Sequence, residues 1–397
     1  MNIKFGIGMP QGTILAPPSK SVAHRSIICA ALSEESTVRN IALSEDIKAT
    51  LSCLESLGAR VKIKENAVTV GGLELKNIPD NAQLFANESG STLRFLIPLL
   101  LCGKTVKISG KESLFSRPLN IYTDIFDSMG IQYALNENSL TLNGKFKGNE
   151  VSLKGNVSSQ FITGFCLLFA ANGGGKITVT EKIESKPYID ITLDVLRDFG
   201  IKSCFEDNVI EIFEGSFKSR EYTVEGDCSN AAYIEAFNLL GGDIRLFGVP
   251  ESTKQGDIVY KKMFAELKAG KNHFDLSDCP DLAPVMFSIA AYLGDITFSG
   301  TRRLKIKESD RVSAMCNELS KFGIKSEIKE NELRILGGRI NAPKEVLFSH
   351  NDHRIVMALS LLLAKFGGQI ENAEAVSKSF PDYFNKLKKL GLDIYEA

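Results

Sequence analysis

Ala16 to Ile27 reads APPSKSVAHRSI, a proline pair followed by Ser-Lys-Ser and an arginine inside an apolar stretch. A helix N-terminus favours anions, so Lys20, Ser21 and Arg25 at such an entrance point to an anion held between the cations and the free backbone amides. The same mixture recurs. ESGSTLR carries Gly90 and Arg94, SRP carries Arg117, NVSSQF carries Ser158, Ser159 and Gln160, and SKPY carries Ser185, Lys186 and Tyr188. The second half adds KIKESDR with Lys307, Glu308 and Arg311, NDHR with Asp352, His353 and Arg354, and SKSFPDY with Lys378. Singly, a cation beside serine is ordinary solvated surface, and a short Gly-rich stretch proves little. His353 fits a hydrogen-bonded structural imidazole as well as a proton carrier. Jointly, cations at corresponding helix ends would converge on one cleft, suited to substrates bearing phosphates and carboxylates.

Other chemistries lack support. The chain has no P-loop lysine motif, no G-x-G-x-x-G after an opening strand and no H-E-x-x-H. Its eight cysteines (Cys29, Cys53, Cys102, Cys166, Cys204, Cys228, Cys279, Cys316) are scattered without C-x-x-C, mostly in apolar surroundings, and read as small buried hydrophobes with no metal or disulfide framework. A net charge of -1 gives no general attraction to nucleic acid or anionic membrane. MNIKFGIGMPQ has no apolar signal core, and no segment approaches the roughly 18 uninterrupted apolar residues of a membrane span. The expectation is a cytoplasmic protein with reduced thiols, no membrane and no nucleic-acid partner.

The elements that must position these residues form a repeat. SEDIKATLSCLESLGARVKI, SRPLNIYTDIFDSMGIQYAL, SKPYIDITLDVLRDFGIKSCF, SDRVSAMCNELSKFGIKSEI and the shorter SFPDYFNKLKKLGLDIYEA share one design. Each opens on a serine suited to N-capping (Ser44, Ser116, Ser185, Ser309, Ser379), three with a nearby proline, and runs at helical spacing to Gly58, Gly130, Gly200, Gly323 or Gly391. Alternating strands follow, with Asn and Glu at turn tips in RVKIKENAVTVGG, IQYALNENSLTLNG and IKSEIKENELRILGG. A weaker sixth copy is TKQGDIVYKKMFAELKAGKNHFDL, ending at Gly270. The glycines lie about 70 residues apart in the first half, too far for a solenoid, so each unit is a small α+β module. Six modules in 397 residues divide into two domains of three. The expected boundaries are 1–18 with 228–397, and 19–227, with hinges near 16–20 and 224–230. MNIKFGI, a strand without its own helix, is expected to pair with the C-terminal half.

The set APPSKSVAHR, NESGSTLRFL, SRPL, SSQF, SKPYIDITL, CPDLAP, KESDR, NDHR and SKSFPDY resembles the 3-phosphoshikimate 1-carboxyvinyltransferase (EPSP synthase) family, in family order from Pro17 to Tyr383. The resemblance implies an α/β fold, a two-domain inverse α/β barrel with three βαβαββ repeats per domain, joined by a double crossover and closing on the substrates. It implies transfer of the enolpyruvyl group of phosphoenolpyruvate to the 5-hydroxyl of shikimate 3-phosphate, with release of phosphate. No cofactor or metal is implied, and a monomer is expected.

By resemblance, Ser21, Arg25, Ser158, Ser159, Ser185 and Tyr188 serve shikimate 3-phosphate, and Gln160 lies between the substrates. Arg94 is close to the phosphoenolpyruvate loop, where Gly90 leaves space. Arg117, Arg311, Arg354 and Lys378 resemble ligands of the phosphoenolpyruvate phosphate and carboxylate, Lys307 resembles a further ligand, and Lys20 touches both substrates. Asp281 resembles the base for the 5-hydroxyl and Glu308 the donor of a proton to the methylene carbon; Lys20 could share this work. Two positions depart from the family's best-known branch: Glu88 stands where that branch has Asn, and Arg303 where it has an Asn contacting the shikimate ring.

Two other readings compete. The sister enzymes that transfer enolpyruvyl to UDP-N-acetylglucosamine have Lys-Asn where this chain has Lys20-Ser21, and usually a loop cysteine where none lies between Gly110 and Arg117. A polyanion-binding scaffold predicts stacking aromatics and positive charge. This chain has no Trp and a net charge of -1.

Overall fold

The computed structural model describes residues 1–397. The chain forms two compact units, Met1–Pro17 with Gly226–Ala397, and Pro18–Glu225. It therefore passes from one unit to the other twice, at Pro17/Pro18 and at Glu225/Gly226.

In the unit Pro18–Glu225, strands Ala82–Phe85, Cys102–Ser109, Gln132–Asn136 and Ser139–Lys145 form a sheet in the spatial order first, second, fourth, third. The first pair is parallel and the rest antiparallel. Helix Gly90–Leu99 connects the parallel pair and Asn120–Met129 leads into the hairpin, which makes one βαβαββ module. Strands Glu150–Lys154, Gly175–Thr180, Ser203–Glu206 and Val209–Ile212 repeat it. The third copy is closed by the end of the unit: Glu221–Thr223 pairs in parallel with Ser36–Arg39, beside the hairpin of Arg60–Lys64 and Ala67–Gly71.

The other unit contains a module of His273–Asp275, Ile296–Ser299, Lys325–Ile328 and Glu332–Leu336 in the same order. A second is built from Leu347–Phe348, Gly368–Glu371 and Ile394–Glu396, with the N-terminal strand Ile3–Phe5 filling the place of its missing strand. MNIKFGI thus pairs with the C-terminal half, as its lone strand pattern predicts. The third copy departs from the expected pattern. Gln11–Leu15 and Asp243–Phe247 form only a two-stranded parallel sheet. After helix Tyr260–Lys268 and Gly270 the chain runs directly into the next module, so this copy has no hairpin, in line with its weaker sequence pattern.

Within each unit the helices are of two kinds. Lys20–Leu32, Gly90–Leu99 and Ser159–Ala171 are buried on nearly every side, as are Cys228–Leu239, Ala283–Leu293 and His353–Phe366 in the other unit. Such helices are mostly apolar on every face, with polar exceptions such as Arg25, Asn230 and Arg354 in their first two turns. Glu45–Ser56, Asn120–Met129, Lys186–Asp198, Tyr260–Lys268, Arg311–Ser320 and Tyr383–Lys389 bury one stripe each. Strands alternate, as AQLF does from Ala82 to Phe85, so each sheet keeps one wet face. Each unit has its own core. Fully buried residues such as Ile27, Phe161, Met286 and Leu359 contribute about 1.5–3 kcal/mol each by leaving water. Gly164 permits a close helix approach, since a Cβ there would lie 2.5 Å from the Arg94 carbonyl oxygen and 2.7 Å from the Tyr122 hydroxyl.

The expected helix ends hold at every C-terminus, but the expected serine cap bond forms only at Ser44. Gly58, Gly130, Gly200, Gly270, Gly323 and Gly391 all have left-handed φ, as helix terminators require. Of the five serines, Ser44 caps as expected, its Oγ accepting from the Ile47 amide. Ser116 instead ends the short helix Glu112–Phe115, and the next helix starts at Asn120. The helices expected at Ser309 and Ser379 begin behind Asp310 and Asp382. Ser185 precedes its helix in a left-handed conformation without a side-chain cap bond. In SRP and SFP the proline disfavours helix in the residue before it, which pushes the start downstream and leaves these serines in loops.

All eight cysteines are free. Burial pushes the thiols of Cys53 and Cys166 up to about 12. No helix is long and apolar enough to cross a membrane.

Candidate active site

The six inner helices begin at segments the sequence singles out. Lys20 and Gly90 are first residues of theirs, and Ser158, Asp227 and Asp352 are N-caps. Asp281 lies in the short turn that leads into Ala283–Leu293. Each start presents free amides and the positive end of a helix dipole.

In the unit Pro18–Glu225, Ser19 caps the first helix through the Val22 amide, and Lys20 Nζ forms a 2.9 Å ion pair with Asp46 Oδ2. Arg25 is buried and sits 4.9 Å over the Phe95 ring. Its Nε donates to Thr192 Oγ1 at 2.8 Å, Nη1 to the Ser21 carbonyl at 2.7 Å, and Nη2 to Thr163 Oγ1 at 3.3 Å and the Tyr188 carbonyl at 3.0 Å. Four of the five guanidinium N–H groups thus face protein oxygens. Burial pushes this guanidinium down to about 10. The structure therefore ties Ser21, Arg25 and Tyr188 into one group.

A second group surrounds Gly90. Arg94 Nη1 donates to Gln160 Oε1 at 2.7 Å, and Gln160 Nε2 donates to Ser91 Oγ at 3.1 Å. A Cβ on Gly90 would stand 3.1 Å from Arg117 Nη1, 3.6 Å from Gln160 Oε1 and 3.7 Å from Arg94 Nη1. Ser158 Oγ accepts from the Gln160 amide at 3.3 Å and so fixes its helix start, with Ser159 buried beside it. Glu88, also buried, pairs with Lys111 at 3.3 Å and ties the loop before Arg117 to this group. Hydroxyls join the two helix starts, because Thr92 Oγ1 donates to Ser89 Oγ at 2.7 Å and meets Thr50 Oγ1 at 2.7 Å, which in turn meets His24 Nδ1 at 2.8 Å.

In the other unit Arg311 is the hub. It is 1% exposed, and its Nη1 meets Asp281 Oδ1 at 2.8 Å, Nη2 meets Glu308 Oε2 at 2.9 Å and Nε meets Asp352 Oδ2 at 2.9 Å. Lys307 Nζ lies 3.6 Å from Asp281 Oδ1, and Arg354 Nη2 lies 3.4 Å from Asp281 Oδ2. Arg354 Nη1 donates to Asn230 Oδ1 at 3.0 Å and its guanidinium lies 5.3 Å over the Tyr233 ring. Lys378 joins through the backbone, donating to the Asn351 carbonyl at 2.6 Å. Arg303 is buried on the short helix Arg302–Ile306 just before Lys307.

This geometry sets the charges. Burial alone would push the Asp281 carboxyl up, but Lys307, Arg354 and Arg311 outweigh it and hold it well below the usual carboxylate range. Burial lowers Lys307 below an ordinary ammonium despite the neighbouring Asp281. Burial also works against Arg311, yet Asp352, Glu308 and Asp281 hold it charged. Asp257, hydrogen-bonded to Ser229 Oγ, is the reverse case: burial first, and then Asp281, push it up to about 7.

Sequence reasoning missed Asp46, Asn230, Tyr233 and Asp257. Asp46 stands in the helix start SEDIK, where an acid reads as ordinary first-turn charge. Asn230 lies in VEGDCSN, which reads only as a domain boundary.

Cation clusters at the starts of buried helices, in both units of repeated α/β modules, define a class: a protein equipped to hold small polyanions. The solved structures that resemble the chain share the fold. EPSP synthase from Acinetobacter baumannii matches with a TM-score of 0.79 at 23% identity, over 100% of both chains. The enolpyruvyl transferase NikO from Streptomyces tendae matches with a TM-score of 0.73 at 15% identity, over 99% of this chain and 98% of the other. In sequence, 3-phosphoshikimate 1-carboxyvinyltransferase from Clostridium novyi is 40% identical, over 98% of this chain and 97% of its own length. The protein of the same name from Clostridioides difficile is 38% identical, over 96% and 95%. Residues 6–387 match the family EPSP synthase (3-phosphoshikimate 1-carboxyvinyltransferase), and the chain belongs to that family.

Proposed function

We propose that this chain transfers the enolpyruvyl group of phosphoenolpyruvate to the 5-hydroxyl of shikimate 3-phosphate, with Asp281 and Glu308 moving the protons. The observation that carries the reading is the Arg311 network, which gathers Asp281, Glu308, Lys307 and Arg354 from three separate sequence motifs.

In this mechanism Arg311, Arg354, Lys307 and Lys378, with Arg94 and Arg117, hold the phosphate and carboxylate of phosphoenolpyruvate, and Lys20 contacts both substrates. Ser21, Ser158, Ser159, Ser185 and Tyr188 bind shikimate 3-phosphate. Arg25 has one N–H left for it and chiefly positions Ser21 and Tyr188. Gln160, fixed by Arg94 and Ser91, lies against both substrates. Protonated Glu308 gives its proton to the methylene carbon, C2 becomes electrophilic, and the 5-hydroxyl oxygen adds to it as its proton passes to Asp281. The tetrahedral intermediate then returns a proton from the new methyl group to the Glu308 carboxylate as the C2–O bond to phosphate breaks, Asp281 gives up the hydroxyl proton to the departing phosphate, and the enol ether and inorganic phosphate are released. The cations stabilise the charge-rich path.

The resting ion pairs bear on this chemistry. Asp281, held low by three cations, is a weak base until substrate anions compete for those cations and loosen their hold. Glu308 must likewise leave Arg311 to take up the proton it delivers. A monomer in the cytoplasm completes the proposal, with sedimentation as the check on assembly.

UDP-N-acetylglucosamine is less supported as the acceptor, since the matching family and the relatives named above are 3-phosphoshikimate 1-carboxyvinyltransferases. Phosphate release from phosphoenolpyruvate, measured with each acceptor in turn, tests the choice. Release with shikimate 3-phosphate alone supports it, and release with UDP-N-acetylglucosamine alone removes it.

A further inference from the structure

We infer that His350 and Glu318 form a strut that sets the phosphoenolpyruvate-binding cations from outside the site, by fixing the turn Ser349–Asp352 to the helix that begins with Arg311. The inference rests on the reading that Arg311, Arg354 and Lys378 hold phosphoenolpyruvate.

Glu318 and Arg311 lie on the helix Arg311–Ser320, about two turns apart and so on nearly the same face. Both reach the same stretch of chain. Glu318 is almost fully buried; its Oε2 accepts from the Phe348 amide and from Lys321 Nζ at 2.9 Å each, and its Oε1 meets His350 Nε2 at 3.0 Å. Burial would push this carboxyl up, but the bonds from His350, Lys321 and the Phe348 amide outweigh it and keep it ionised. An ionised carboxylate only accepts, so the imidazole donates from Nε2. The ring is also held edge-on against Phe348, with centroids 5.0 Å apart. Two residues later Arg311 Nε grips Asp352 Oδ2 at 2.9 Å.

Between these grips the backbone is in a disfavoured conformation. His350 has φ +50 and Asn351 φ +54, both left-handed and neither glycine. The turn is closed by the Asp352 amide donating to the Ser349 carbonyl at 3.0 Å. Two successive left-handed residues of this kind persist only where surrounding contacts over-determine them. The turn in turn orients the cations. The Asn351 carbonyl takes Lys378 Nζ at 2.6 Å, and Asp352 Oδ1 caps the Arg354 amide at 2.9 Å. Asp352 Oδ2 also takes Ser309 Oγ at 3.1 Å, beside Glu308. A shift of the turn therefore moves the supports of Lys378, Arg354 and Arg311 together. His350 and Glu318 touch none of the residues assigned to shikimate 3-phosphate, so their loss has a selective signature.

Steady-state kinetics of the full chain tests this with His350→Asn, His350→Gln and Lys378→Ala. Asn tolerates the left-handed backbone but is too short to reach Glu318; Gln retains an N–H donor near the position of Nε2. The expected result is a KM for phosphoenolpyruvate raised about five- to tenfold in His350→Asn, a KM for shikimate 3-phosphate within about twofold of wild type, and substantial recovery in His350→Gln. Lys378→Ala raises the same KM. An unchanged KM for phosphoenolpyruvate in His350→Asn, an equal change in both KM values, or no recovery in His350→Gln would overturn the strut while Lys378→Ala still shows its effect. An unaffected Lys378→Ala would instead remove the half-site reading on which the strut rests.

Discussion

Asp281 Oδ1 and Arg311 Nη1 meet at 2.8 Å, and the same guanidinium holds Glu308 and Asp352 at 2.9 Å each. One buried cation thus joins the proposed base, the proposed acid and the cap of the helix that carries Arg354. Removing it leaves three carboxylates without their shared partner. Arg311→Met should therefore lower unfolding stability by about 3–5 kcal/mol, read from urea denaturation. A loss within experimental error would mean that the three acids find other partners.

Glu308→Gln keeps the shape of the side chain but cannot deliver a proton, so kcat should fall by about 10² or more while the melting temperature stays near that of wild type. Lys20→Ala, which frees Asp46 from its 2.9 Å ion pair, should lose kcat to a similar order. Wild-type turnover in either variant would take that residue out of the chemistry.

Asp257 gives stability an opposite pH slope to that of Asp281. Its carboxyl is raised from 3.8 to about 7 by burial and by Asp281, so the folded state prefers it protonated. That preference stabilises the fold fully below the unfolded value and is lost as pH rises from about 4 to 7. Asp257→Asn should melt higher than wild type at pH 8, with the gap closing as the pH falls toward 5. A gap that does not change with pH would show that Asp257 does not change charge in this range. For Asp281, held well below its ordinary value by Lys307, Arg354 and Arg311 despite burial, stability is present above about pH 4 and fades only on acidification.

Gly90 opens its helix with 3.1 Å between a would-be Cβ and Arg117 Nη1. Alanine there favours the helix by about 0.4–1 kcal/mol, yet crowds Arg117, Gln160 and Arg94. Gly90→Ala should melt at or slightly above the wild-type temperature with a raised KM for phosphoenolpyruvate. An unchanged KM would show that the arginine end moves aside freely.

Periodicity and glycine placement made the modules legible, because helix-ending glycines announce a left-handed residue directly: Gly58, Gly130 and Gly200 read correctly on that ground. Helix starts were harder. Ser116, Ser309 and Ser379 have the right chemistry for a cap, but proline or a following aspartate moves the start, and type alone does not choose between neighbours. The site's cations were visible as motifs, whereas their partners were not. Asp46, Asn230 and Asp257 are ordinary polar residues in sequence and acquire meaning only where the fold places them beside Lys20, Arg354 and Ser229. The missing hairpin after Gly270 was foreshadowed by a weak repeat. Arg25 shows the converse limit: its motif marks it as a phosphate ligand, and only the structure reveals four protein acceptors around it.

Phosphorus NMR of the purified protein mixed with shikimate 3-phosphate and phosphoenolpyruvate tests the central claim most directly. The account predicts that the phosphoenolpyruvate signal disappears and inorganic phosphate grows only when both substrates are present, while the shikimate phosphate signal persists at a shifted position. An unchanged spectrum with both substrates, or phosphate released from phosphoenolpyruvate without shikimate 3-phosphate, would contradict it.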